Sequence, residues 1–147
     1  DVIRLKSDLF STALISNEDF QMFARVLAMF DVLYIKNPMG VYFLRPNSIS
    51  RDQAKIWSSR AVALDSLIDM SDELALSAFH IKLLKKMRGS AARLYARVLA
   101  NSGARKKAIE HLFDELKRSP QFKTLALLFL VLFGLQKKKI EYGGAEY

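Results

Sequence analysis

Apolar residues recur at spacings of three and four along most of this chain, the period of an amphipathic helix. Val2, Leu5, Leu9, Ala13 and Leu14 form one stripe, and Phe20, Phe23, Leu27 and Phe30 form a second. Ser16 between them reads as an N-cap, with Glu18 and Asp19 in the first turn, where the helix dipole favours acid. Two helices are therefore predicted over most of 2–31. The period then changes. Val32-Leu33-Tyr34-Ile35 and Val41-Tyr42-Phe43-Leu44 are β-branched and aromatic, and Lys36-Asn37-Pro38-Met39-Gly40 separates them. That pattern predicts a β-hairpin at about 32–44. Two such apolar strands are marginal alone and must cover themselves against helices or a partner chain. Tyr34, Tyr42 and Phe43 are accordingly candidates for a protein interface.

Helical spacing resumes after the hairpin. Ser50-Arg51-Asp52-Gln53 fits a capping box, and Ile56, Trp57, Ala61, Leu64, Leu67 and Ile68 give the face of the helix it starts. Ser71 reads as the next cap, followed by a long helix from about 72 to 100 with a weak point at Gly89-Ser90. Asn101-Ser102-Gly103 is a break. Ile109, Leu112, Phe113 and Leu116 mark another stripe, and Ser119-Pro120 reads as a cap followed by proline at the first helical position. The last helix, around Leu125 to Leu135, is apolar nearly all round and is predicted to be central. Its run of about 11 residues is short of the roughly 20 that cross a bilayer. The fold class expected is mainly α: a compact bundle of about five to seven helices with one inserted β-hairpin. It forms a single domain over 1–141, and 142–147 is a flexible tail.

Composition narrows the chemistry. The 147 residues contain no cysteine, which excludes disulfide scaffolds, thiolate zinc sites and cysteine nucleophiles. Asp1 to Asp8 is mixed in charge, without the basic-then-apolar order of a secretory leader, so the cytoplasm is the expected compartment and no membrane partner is expected. The net charge is +8, and one segment carries it. Residues 1–73 sum to −2 and residues 110–147 to +1, whereas 74–109 hold nine basic side chains and no acid. The nine are Lys82, Lys85, Lys86, Arg88, Arg93, Arg97, Arg105, Lys106 and Lys107. At about 100° per residue, Lys82, Lys85, Lys86, Arg93 and Arg97 share one helix face some 20 Å long. Leu83, Leu84, Met87, Ala91, Leu94, Tyr95 and Val98 fall opposite and predict the core side. Solvated helices usually interleave acids for i,i+4 pairs, so an acid-free run points to an anionic partner, the RNA or DNA backbone first. An acidic protein is the alternative and plain solubility the bland one. Few aromatics lie on the basic face, which argues against base stacking and sequence readout.

Catalysis finds little support in the sequence. His80 and His111 lack a metal-binding spacing, and no phosphate-cradling glycine loop or nucleophile elbow occurs. Glu110, Asp114 and Glu115 beside His111 read as a solvated face pairing with Lys106, Lys107 and Arg118. Asp65, Asp69, Asp72 and Glu73 read as helix-end acids. No catalytic residue, metal, cofactor or small-molecule substrate is expected.

The basic helix KLLKKMRGSAARLYAR, the short β-rich VLYIKNPMGVYFL after the first helices and the apolar closing TLALLFLVLFGLQKKK together resemble the small-subunit family of archaeal type I-A CRISPR surveillance (Cascade) complexes over roughly residues 15–139. That resemblance implies a non-catalytic subunit that packs along a guide-RNA filament with other subunits, copies of itself among them. It supports the target and displaced strands through backbone contacts, with Lys82, Lys85, Lys86, Arg93 and Arg97 as candidates. Two other readings stay open: a coat protein of an archaeal filamentous virus, for which a basic or Pro/Gly-rich N-terminal arm would speak, and a protein–protein adaptor or inhibitor that docks through the hairpin.

Overall fold

The computed structural model describes residues 10, 14–41 and 52–135. They are mainly helical, with α1 at Glu18–Met29, α2 at Gln53–Asp69, α3 at Ala78–Asn101, α4 at Arg105–Arg118 and α5 at Phe122–Leu132. The chain divides into two compact units, Asp1–Ala92 and Arg93–Tyr147. Helix α3 supplies 78–92 to the first and 93–101 to the second.

In the first unit, α1 packs on α2 through polar as well as apolar contacts. Its N-cap is Asn17, not Ser16, in the left-handed region at φ 65°. Asparagine tolerates that conformation better than most residues. Its Nδ2 donates to the Ile56 carbonyl at 3.0 Å and to Ser16 Oγ at 3.1 Å. Ser16 N–H donates to Ser59 Oγ at 3.2 Å, and the Ser59 hydroxyl donates back to the Ser16 carbonyl. One turn on, buried Gln21 donates to Ser66 Oγ at 2.7 Å. The Arg60 guanidinium lies 3.8 Å from the centre of the Phe20 ring. The apolar core is small: Ala61, Leu64 and Ala91, with Phe20, Trp57 and Leu84 packed against them.

Three expected boundaries move in this unit. Asp52 caps α2, accepting from the Lys55 N–H at 3.0 Å, whereas Ser50 lies outside the described residues. Ser71 starts no helix. Its carbonyl accepts from Leu76 N–H at 2.9 Å, and Ala75 turns left-handed at φ 48°, so the chain crosses an irregular turn with Leu74 buried. Ser77 Oγ then accepts from the His80 N–H at 3.4 Å as α3 begins. The largest difference is the hairpin. Residues 32–35 form no strand, and Leu33 and Tyr34 stand 85% and 80% exposed. Tyr42, Phe43 and Leu44 lie outside the described residues. Strand propensity expresses itself only where a ladder and a covering surface exist, and within the described residues 32–41 has neither. Most of the stripe before Leu14 and the 142–147 tail also lie outside the described residues.

In the second unit, the break falls where expected. Gly103 takes φ 86°, suited to a residue without Cβ, and Ala104 N–H bonds the Leu99 carbonyl at 2.9 Å. Helix α4 packs on α5 around Ala96, Ala108, Leu112, Leu127, Leu128 and Val131. Ser119 is the C-cap of α4, not the cap of the next helix, and α5 starts at Phe122 after Gln121. Helix α5 is not enclosed: Thr124, Leu127, Leu128 and Val131 are buried, while Phe122, Leu125, Phe129 and Leu132 are exposed.

Candidate nucleic-acid interface

The rotation of α3 about its axis decides which of its cations are available. Gly89, Ala92 and Ala96 are buried, while Leu83 and Met87 are exposed. Ala91 of the predicted apolar stripe is buried too and Leu84 packs against the core, so the helix buries its small residues, which permit close backbone approach, and leaves Leu83 and Met87 open. With Lys82 set at 0°, Gly89, Ala92 and Ala96 fall near 280–340° and buried Ala91 near 180°. The first three border the cationic sector and Ala91 opposes it, so the cations meet different surroundings.

In the first unit, Lys82, Lys85 and Lys86 are exposed, and no acid among the described residues pairs with them. Arg88 differs. Its Nε donates to both oxygens of Asp65, at 3.2 and 3.3 Å, and its side chain is only 12% exposed. It ties α3 to α2.

In the second unit, Arg93 is half-buried, and its Nη1 donates to Gln121 Oε1 at 2.7 Å and to Thr124 Oγ1 at 3.3 Å. Burial lowers its pKa from the ordinary arginine value, with Arg97 adding to the effect and Glu115 opposing it. Arginine remains protonated throughout any practical range. Arg97 is exposed. Arg105 donates to the Leu132 carbonyl at the C-terminus of α5, where the dipole favours a cation. Lys106 approaches Glu110 at 4.0 Å, with 91% of its side chain exposed, a loose surface pair. Lys107 is exposed.

The acids near His111 do not behave as one solvated face. Asp114 pairs with Lys117 at 3.6 Å on the surface, but Glu115 is 3% exposed. His111 meets Tyr95 edge-on at 5.0 Å. Among the described residues no group of three or more His, Asp or Glu side chains is placed to hold a metal ion. No described helix is long and apolar enough to cross a membrane.

No protein family, curated protein or solved structure matches the chain.

One feature has no counterpart in the sequence reading. In the first unit, α1, the 74–76 turn and α3 enclose an apolar cleft of about 370 Å³, walled by Phe20, Leu27, Leu67, Leu74, Leu83 and Met87 among others. Periodicity identifies each of these residues as apolar, but which of them stay open follows from the small-residue packing of α3.

Proposed function

We propose that this chain is a non-catalytic subunit of a larger ribonucleoprotein assembly. It holds RNA or DNA through the phosphate backbone without reading sequence. The observation that carries this reading is the exposure of Lys82, Lys85 and Lys86 within two turns of α3, inside a 36-residue stretch without an acid. Arg97, Lys106 and Lys107 are further exposed cations of the same stretch. Arg88, Arg93 and Arg105 also make contacts within the fold, to Asp65, Gln121 and the end of α5, Arg105 from an exposed position. A lysine is a flexible point charge, suited to tracking phosphates and poorly suited to fixed recognition of a base edge.

The sequence resemblance to small subunits of type I-A CRISPR surveillance complexes supports an assembly of that kind. The subunit would steady a guide–target duplex or a displaced strand beside other protein subunits. Binding of unrelated RNA and DNA oligonucleotides, measured over a series of salt concentrations, tests the reading. Affinity is expected to be similar for all sequences. It should fall with salt at a log–log slope of about −0.7 to −0.9 for each neutralised phosphate. A flat salt response, or a strong sequence preference, contradicts it.

A further inference from the structure

The outer arc of α5 is apolar, and among the described residues nothing covers it. Phe122, Leu125, Phe129 and Leu132 recur at spacings of three and four, with Phe133 just beyond; Phe122 is 82% and Phe129 52% exposed. The Phe129 and Phe133 rings lie parallel at 6.3 Å, which makes one continuous ridge. Single exposed apolar residues are ordinary, but a contiguous patch of this kind marks an interaction surface. The first unit offers the complementary shape. Its cleft is bounded by α1 over Phe20–Ala28 and by α3 over His80–Met87, walls about 10–12 Å long at 1.5 Å per residue. The central turns of α5 match that length, and anchors at i, i+3 and i+7 are the pattern by which an amphipathic helix occupies a groove.

Charge completes the match. Just before Leu74 and Leu76, which line the cleft, the chain carries exposed Asp69, Asp72 and Glu73. The start of α5 carries exposed Lys123 and the partial positive charge of a helix N-terminus. We infer that the exposed face of α5 in one copy of this protein docks in the apolar cleft of the first unit of a second copy, with its N-terminal end against the 69–73 acids. The contact joins two different surfaces, so it is heterologous and propagates into chains or closes into rings. It goes beyond the nucleic-acid reading and does not rest on it, because neither surface contains a lysine or arginine of the 74–109 stretch.

Two variants separate the surfaces. Leu27→Glu with Leu83→Glu spoils the cleft, and Phe129→Glu spoils the ridge; all three positions are exposed, and melting temperature confirms that each variant folds. Analytical ultracentrifugation without nucleic acid is expected to show oligomers larger than a dimer for the unmodified protein and monomers for each variant alone. An equimolar mixture of the variants should give a dimer and nothing larger, since one good ridge meets one good cleft and both outer ends are blocked. High salt should weaken these species only modestly, because the contact is mainly apolar and only its charged end is screened, whereas phosphate-backbone binding fails there. A monomeric unmodified protein, oligomers that persist in either variant, or a mixture that stays monomeric would each overturn the inference.

Discussion

Arg88 and Lys86 sit two positions apart on α3 and do different work. Arg88 holds Asp65 with both side chains largely withdrawn from water, while Lys86 is exposed. Truncating one partner of a withdrawn pair leaves the other poorly satisfied, at a cost of about 1–3 kcal/mol. Arg88→Ala is therefore expected to lower stability in urea titrations by that amount while leaving the salt slope of nucleic-acid binding unchanged. Lys86→Ala should do the reverse, moving stability by under about 0.5 kcal/mol and making the slope shallower by about 0.7–0.9. Equal effects of the two substitutions on binding would undo the distinction. Asn17 supplies a second test. Alanine there meets the left-handed backbone without the amide that bonds the Ile56 carbonyl, a loss of about 1–3 kcal/mol from conformation and hydrogen bond together. Glycine loses the bond but not the conformation, so Asn17→Gly should retain more stability than Asn17→Ala.

At the scale of elements, the helices themselves were legible, and so were the buried faces of α2 and α4, but the rotation of α3 was not. Stripes such as Ile109–Leu112–Leu116 and the Asn101-Ser102-Gly103 break reveal where helices lie, because period and glycine chemistry are local properties. Which residues of α3 are buried depends on Gly89, Ala91, Ala92 and Ala96, small residues that a hydrophobicity pattern underweights against Leu83 and Met87. The same limit applies to α5: an all-apolar helix reads as central, yet the pattern cannot state whether its own chain covers both sides. The expected hairpin is not seen among the described residues for a related reason, since strand propensity at 32–35 found no ladder there and 42–44 lie outside them. Caps moved where a second capable residue stood one or two positions further on, as from Ser16 to Asn17 or from Ser50 to Asp52. The Asp52 cap carries a pH signature. The Lys55 N–H, with smaller help from the Lys55 side chain, holds its carboxyl below the ordinary carboxylate value. A lowered native pKa means that the stabilisation is present above the unfolded-state value and is lost as pH falls through the native one. Asp52→Ala should thus lower the melting temperature at neutral pH, and the difference from the unmodified protein should vanish in strong acid. An unchanged difference at both pH values would show that the charge contributes nothing.

For the whole molecule, the charge distribution was the most legible feature, and packing divides it. Of nine cations in one acid-free stretch, three arginines are taken up by structural contacts, and the lysines with Arg97 face solvent. The account stands on the claim that the exposed group is a phosphate track and not a merely solvated face. The most direct test is the triple variant Lys82→Glu, Lys85→Glu, Lys86→Glu, which lowers the net charge from +8 to +2 without touching a described structural contact. Its affinity for a fixed RNA and a fixed DNA should be measured at one low salt concentration beside its melting temperature. The account predicts a loss of affinity by orders of magnitude for both nucleic acids with the melting temperature nearly unmoved. Unchanged affinity in a folded triple variant would contradict it.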